Sequence, residues 1–416
     1  LKKVCVLGLG YVGLPTACML AMQGHQVIGV DVDPRIVQTI SKGGIHIEEV
    51  GLKTMLQAAI NSGSLVATTE VESADIFIIA VPTPLAEGNR ADTSFVESAA
   101  KSIAGVLESG SLVILESTVP PGTTDDLLCP ALSKSGLKPG VDFHVAHSPE
   151  RVLPGNIFSE LVANDRVIGG ITPESAEAAR DLYGSFIEGE IFLTDATTAE
   201  MVKLVENTFR DVNIALANEL AVIAADNEVD IFEIISLANH HARVNVHQPG
   251  PGVGGHCIPI DPWFIIQKSG GTDGLIQRSR EINDSMPMRV VDMVVDIAGA
   301  QGKISVWGVS FKGNVDDTRE TPALPIIKEL KKRGYDLGVF DFHVRDFDCE
   351  LDSLENSVDG ADAILLLADH KEFAYLDPHV VGQRMRRRMI IDTRNCLDPE
   401  KWKEAGFDFY LFKKKV

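Results

Sequence analysis

Gly8-Leu9-Gly10-Tyr11-Val12-Gly13 follows an apolar β-rich run, Val4 to Leu7, and opens a helical pattern. Few folds use that arrangement. Glycine permits a tight turn at the first position, close approach to the backbone at the second, and tight helix–strand packing at the third. The helix N-terminus then faces the turn, where an anion is favoured. A strand, this turn and a helix together open a doubly wound α/β sheet and predict a dinucleotide site at Gly8, Gly10 and Gly13. Asp31 closes the second strand about 20 residues on, where a carboxylate accepts from ribose hydroxyls and repels a 2′-phosphate, so NAD is favoured over NADP.

Short β-rich runs alternate with helical patterns through Val27 to Val30, Ile76 to Val81, Leu112 to Leu115 and Phe143 to Ala146. A weaker version returns with Ile304 to Val309, Leu337 to Phe340, Ala363 to Leu367 and Met389 to Ile391. Strands separated by helices predict parallel sheets covered on both faces. Asp31 and Asp341 each follow the second strand of their set. The expected fold is α/β: two Rossmann-like doubly wound parallel-sheet domains, residues 1–190 and 296–416, joined by a helical middle domain, residues 191–295.

Within the middle domain, Thr197-Thr198-Ala199-Glu200 fits a capping box, and the helix it opens runs to about Asn227. Val202, Val205, Phe209, Val212, Leu216, Leu220 and Ile223 recur at steps of three and four and form one apolar face. About 30 helical residues span about 45 Å. That length suits a helix that crosses between the end domains and packs against a second subunit. Asp230 to Asn239 and Leu275 to Asp284 predict further helices.

A formal net charge of -21 over 416 residues leaves no electrostatic footprint for nucleic acid. An anionic ligand must be gripped by local clusters of Lys and Arg. The six cysteines lack Cys-x-x-Cys spacing, which argues against zinc and a disulfide framework, and for a reducing cytoplasm; Cys5 and Cys18 read as core. The first apolar run reads as strand and turn rather than a signal peptide. No apolar stretch reaches the roughly 18 residues of a membrane span, so a soluble protein with no membrane or metal partner is expected.

The run Pro249-Gly250-Pro251-Gly252-Val253-Gly254-Gly255-His256-Cys257-Ile258-Pro259-Ile260-Asp261-Pro262 cannot form a helix or central strand and presents a thiol on a shaped loop. Cys257 reads either as a structural thiol or as a nucleophile beside His256. Thr83 and Thr118 lie in proline-stiffened segments after the third and fourth strands, where a sheet of this kind places its ligand. Lys203, Asn207 and Arg210 share one helix face, which is either solvated or turned toward the site. There a cation and an amide would stabilise negative charge developing on an oxygen. Phe311, Lys312, Arg319 and Arg394 follow strands of the C-terminal set, where the cations suit either solubility or a phosphate-bearing ligand. Arg384 to Arg388 and Lys413 to Lys415 read as solvated charge.

With His147-Ser148-Pro149-Glu150-Arg151-Val152-Leu153-Pro154-Gly155-Asn156 and Arg243-Val244-Asn245, these motifs resemble the UDP-glucose/UDP-mannuronate dehydrogenase family over essentially the whole chain. Within it they are most similar to the branch acting on UDP-N-acetylmannosamine. The resemblance implies two hydride transfers from a sugar 6-hydroxyl to NAD through a thiohemiacetal and thioester on Cys257. It implies Lys203 and Asn207 as alkoxide stabilisers, Asp261 as an orienting group for Lys203 or water, Glu150 in thioester hydrolysis, and Thr118 holding a water. Tyr11, Val12, Asp31, Arg35, Thr83, Thr118 and Arg319 match NAD contacts. Arg151, Val152, Arg210, His241, Arg243, Phe311, Lys312 and Arg394 match substrate contacts, with Arg243 reaching a neighbouring subunit in a homodimer or higher even oligomer. Ala242 and Cys257-Ile258-Pro259-Ile260-Asp261 depart from the commoner His-Pro-Arg and Cys-Ile-Ala-Val-Asp patterns. UDP-N-acetylglucosamine or UDP-glucose as substrate, a single-hydride dehydrogenase and an inactive NAD-binding sensor are the competing expectations.

Overall fold

The computed structural model describes residues 1–47, 49–152, 155–270, 274–412 and 414–415; Leu153, Pro154 and Lys413 lie outside the described residues. The chain forms two compact units, residues 1–206 with 263–271, and residues 207–262 with 272–416.

The first unit is built on strands β1 (Lys3–Leu7), β2 (Gln26–Val30), β3 (Leu65–Thr68), β4 (Ile76–Ile79), β5 (Leu112–Leu115), β6 (His144–His147), β7 (Arg166–Gly170) and β8 (Ile191–Asp195). Their order is β3-β2-β1-β4-β5-β6-β7-β8. All neighbours run parallel except β6 and β7. The first six strands follow the order of a dinucleotide-binding sheet. Alternate residues feed two cores: Val4, Val6, Ile76, Ile78 and Ile114 point to one, and Cys5, Leu7, Phe77, Ile79 and Val113 to the other. A strand buried on both faces must be apolar throughout, which is why these runs were legible. Helix α1 (Gly13–Met22) is buried along nearly its whole length, Cys18 included. Strands β3, β7 and β8 were not anticipated. Strand β7 carries Arg166 and two glycines, and β8 has three apolar residues, Ile191 to Leu193, before Thr194 and Asp195, so neither shows the unbroken apolar run of the central strands.

The second unit carries β9 (Lys303–Trp307), β10 (Asp336–Phe340), β11 (Ala363–Leu366), β12 (Met389–Asp392), β13 (Asp408–Leu411) and β14 (Lys414–Lys415), in the order β10-β9-β11-β12-β13-β14. The pairs are parallel except β13 with β14. Its core centres on Trp307, stacked on Phe373 at 5.2 Å with Trp402 edge-on at 6.0 Å.

Helix α2 (Ala196–Asp226) begins earlier than the capping box implied. Asp195 fills the capping role, its carboxylate accepting from the Thr198 N–H at 2.9 Å and hydroxyl at 2.6 Å. Helix α3 (Asp261–Lys268) follows the cysteine loop. Helix α4 (Leu275–Ala298) continues past the expected end near Asp284 because Pro287 is accommodated inside it, buried, despite the backbone hydrogen bond it removes. The Arg384 to Arg388 run is not merely solvated charge: Arg386 pairs with Asp362, Arg387 donates to the Ala298 carbonyl at 3.1 Å, and Arg388 to the Ala405 carbonyl at 2.7 Å. Guanidinium groups here satisfy carbonyls where helices and turns end. Among the described residues, no helix is long and apolar enough to cross a membrane.

Candidate functional site

In the first unit the turn between β1 and α1 has the geometry a dinucleotide requires. Gly8 adopts φ +91°, and a Cβ there would lie 2.5 Å from the Ala80 carbonyl oxygen; one on Gly13 would lie 1.9 Å from that of Gly8. A Cβ on Gly10 would meet nothing within 4 Å, so this part of the turn is open to a ligand. The Asp31 carboxylate accepts from Leu9 N–H and Asp33 N–H, both at 3.0 Å, which holds it at the end of β2 beside the turn. Arg35 is exposed and pairs with Asp33 at 2.7 Å, drawing the Asp33 carboxyl down to about 2. Tyr11 and Val12 are half-buried where α1 begins.

The Thr83 hydroxyl donates to the Thr118 carbonyl at 2.6 Å, and that of Ser117 to the Val81 carbonyl at 2.7 Å. These bonds join the segments after β4 and β5, next to the reversal of strand order between β1 and β4 where such sheets take their ligand. Turn, carboxylate and threonines fit NAD. Glu200 is not a capping-box residue. Its buried carboxylate accepts from Gly122 N–H at 2.5 Å, Thr124 N–H at 2.8 Å and the Thr124 hydroxyl at 2.6 Å, fixing the loop after Thr118 to α2.

Glu150 belongs to a buried cluster that sequence reasoning missed. Arg166 Nη2 lies 2.5 Å from Glu150 Oε2, and its Nη1 lies 3.4 Å from Glu116 Oε1. The guanidinium stacks 4.3 Å over the Tyr183 ring, whose hydroxyl donates to Glu116 at 2.6 Å. Burial pushes the Glu116 carboxyl up to about 7 against the pull of Arg166. A carboxylate directly before Ser117-Thr118 and an arginine inside a strand were the available signals. Arg151 donates its backbone N–H to Glu150 at 2.6 Å, while its guanidinium pairs with Glu206 at 2.6 Å and donates to the Asp165 carbonyl at 3.0 Å. Val152 is half-buried, and so is Lys203, one helical turn before Asn207 on α2.

In the second unit Asn207 is buried rather than solvated, and its Nδ2 donates to Asp261 Oδ2 at 2.6 Å. The Cys257 carbonyl accepts from Ile260 N–H at 3.0 Å and Asp261 N–H at 2.9 Å, so thiol and carboxylate are carried on one tight turn. His256 Nδ1 lies 2.9 Å from Cys257 Sγ. The loop is anchored on the strand-end segments of the second sheet: Gly255 N–H donates to the Arg319 carbonyl at 2.9 Å, and a Cβ on Gly255 would lie 3.0 Å from the Phe311 ring. Arg394 approaches Gly250 and pairs with Asp369 at 2.9 Å. Gly250 N–H donates to Asn218 Oδ1 at 2.9 Å; Asn218 donates to Asn283 at 2.8 Å, which donates to Asp211 at 2.8 Å, and Asp211 pairs with buried Arg280 at 2.5 Å. Phe311, Arg319 and Arg394 thus converge on the cysteine loop. Lys312, Arg210, His241 and Arg243 are exposed.

Asp341, the counterpart of Asp31, accepts from Val309 N–H at 2.7 Å, His343 N–H at 2.8 Å and Val344 N–H at 3.0 Å, and faces His370 Nε2 at 3.0 Å. Burial pushes its carboxyl up, yet His370 and these amides hold it at about 2. His370 Nδ1 accepts from Asn314 N–H at 2.9 Å. Both ring nitrogens therefore have protein partners, and the His343, His370 and Glu372 grouping reads as structural rather than metal-binding.

Residues 2–187 match the NAD binding domain of the UDP-glucose/GDP-mannose dehydrogenase family, residues 197–285 its central domain and residues 305–399 its UDP binding domain. The chain is 49% identical over 417 residues to a UDP-N-acetyl-D-mannosamine dehydrogenase of Methanocaldococcus jannaschii, covering 99% of this chain and 96% of the relative. It is 46% identical to an NDP-N-acetyl-D-galactosaminuronic acid dehydrogenase of Ralstonia nicotianae, over 94% of this chain and 96% of that one. The solved UDP-N-acetylmannosamine dehydrogenase of Pyrococcus horikoshii superposes with a TM-score of 0.92 at 43% identity, covering 99% of each chain.

Proposed function

This chain belongs to the UDP-glucose/GDP-mannose dehydrogenase family, and on that premise we propose that it oxidises the 6-hydroxyl of UDP-N-acetyl-D-mannosamine to the carboxylate, using two NAD per sugar. The chain is an NAD-dependent UDP-sugar dehydrogenase, and the finer reading concerns its sugar and its chemistry. The observation that carries the chemistry is the turn bearing Cys257 and Asp261, with Asp261 gripping Asn207.

Bound NAD supplies the hydride acceptor. Lys203 and Asn207 stabilise negative charge on the sugar oxygen, and Lys203 exchanges its proton. Cys257 adds to the resulting aldehyde as a thiohemiacetal. This step is a necessity, because a planar carbonyl carbon has no hydride to give until a nucleophile makes it tetrahedral again. The second oxidation leaves a thioester, which water cleaves with help from Glu150, while Thr118 holds a water. Asp261 positions Asn207 by direct hydrogen bonding. Arg394, Phe311 and Lys312 suit the UDP group, since guanidinium and ammonium match phosphate and a ring can stack on a base. Val205, Phe209, Leu216 and Ile223 leave an apolar stripe of α2 exposed, which favours a homodimer or higher even oligomer. A cytoplasmic setting goes with these assignments.

The substrate reading is supported by the chain-long similarity to the mannosamine relatives; the Ralstonia relative favours N-acetylgalactosamine as the second reading. Incubation with a panel of UDP-sugars, with NADH counted per sugar consumed, tests both. Two NADH with preference for the mannosamine sugar are expected. A preference for UDP-glucose, UDP-N-acetylglucosamine or the galactosamine sugar overturns the substrate, and a single NADH with a stable carbonyl product overturns the covalent route.

A further inference from the structure

We propose that His256 is the acid–base partner of Cys257, its Nδ1 taking the thiol proton as sulfur bonds to the aldehyde carbon and returning it as sulfur leaves the thioester. This rests on the reading of Cys257 as nucleophile and names the group that serves it.

The geometry is local and anchored on both sides. His256 Nδ1 lies 2.9 Å from Cys257 Sγ. Before the histidine, Gly255 sits at φ +86° with its N–H bonded to the Arg319 carbonyl; after the cysteine, two amides close on the Cys257 carbonyl. The two side chains therefore project from a pinned backbone. An Nδ1 that accepts from the thiol leaves its proton on Nε2, the tautomer a base requires.

The chemistry needs such a group. A free thiol has a pKa near 8.5 and is only a few per cent thiolate at pH 7. The reference pKa of an unperturbed imidazole, about 6.5, is close enough to that of a thiol for a proton to pass between the two classes of group in either direction at little cost. During addition the S–H proton passes to Nδ1, the S–C bond forms, and the carbonyl electron pair moves to oxygen, which takes a proton from solvent or Lys203. During hydrolysis water adds to the thioester carbonyl carbon, forming the new C–O bond and losing a proton to solvent; the C–S bond then breaks, and the departing sulfur recovers the proton from Nδ1. No external oxidant enters either step.

Among the described residues, the segments packed around this loop carry Lys312, Asp316, Asp317, Arg319, Glu320 and Arg394, and the loop itself carries Asp261. Burial pushes the Asp317 carboxyl up, but Arg319, paired with it, prevails and holds it low, with His256 adding to the effect. Asp261 lies on the turn that closes on Cys257 and is already engaged with Asn207.

The test is the pH dependence of iodoacetamide alkylation at Cys257, followed by peptide mass in the full-length protein without NAD or sugar. Cys257→Ser gives the blank. The parent is expected to show an inflection below about 8.5. His256→Gln and His256→Ser, at an exposed position that tolerates replacement, should raise the inflection by about one unit. Alkylation at pH 7 should fall only about threefold, because a more basic thiolate is also more nucleophilic and regains part of the loss. An unchanged inflection in both variants overturns the proposal. So does an unchanged inflection accompanied by altered selectivity among UDP-sugars, which would make His256 a reader of the sugar. Alkylation requires no turnover, so failure of the dehydrogenase reading, seen as full turnover by Cys257→Ser, is a separate result.

Discussion

The Arg166 guanidinium donates to Glu150 across 2.5 Å with both side chains buried, so a carboxylate assigned to thioester hydrolysis is held by a charge the surface cannot screen. Arg166→Met would leave Glu150 and Glu116 buried without a counter-charge. Removing one partner of a buried pair typically costs about 3–5 kcal/mol. A drop of that size in urea unfolding at pH 7 is expected, and a change below about 1 kcal/mol would show that the cluster is solvated.

Glu116 adds a pH signature. Its folded pKa, about 7, lies above the ordinary value of 4.5, so the folded state holds this proton more tightly. The stabilisation is fully present below pH 4.5 and is lost as pH rises through about 7. Glu116→Gln removes that dependence and should gain stability relative to the parent between pH 5 and pH 8. Unfolding midpoints at the two pH values check this; a constant offset would contradict it.

Cys257→Ser should stop after the first oxidation. A serine hydroxyl is the weaker nucleophile and the poorer leaving group. Absorbance at the NADH band should show at most one NADH per active site and then a stall.

Asp261→Asn replaces the acceptor of the Asn207 amide with a group that can donate into it. Asn207 would then turn or shift, misplacing its donor. Loss of one such donor typically costs about 10²–10³ in kcat. The expected result is a fall of that order with KM little changed, measured by steady-state NADH formation at saturating NAD.

Phe209 is 60% exposed on the α2 stripe. Phe209→Asp places a charge on that stripe and should shift the protein toward monomer in sedimentation velocity. An unchanged mass would put the subunit contact elsewhere.

What the amino-acid sequence determined by itself is local. The Gly8 turn was legible because it needs a positive φ and close backbone approach, both set within one strand and one helix. The central strands were legible because burial on two faces demands unbroken apolar runs, and the cysteine loop because proline and glycine exclude regular structure. Only the tertiary structure decided how polar groups are paired. Glu200 reads as a capping residue from its four-residue window, yet it accepts from amides 76 and 78 positions away. The face of Asn207 reads as either solvated or turned toward the site until Asp261, 54 positions on, takes its amide. The Glu116–Arg166–Glu150 cluster joins three strand ends that no periodicity links. Apolar burial follows a repeat that a short window reveals, whereas a buried charge needs one specific partner, and that partner is found only when the sheet brings distant strand ends together.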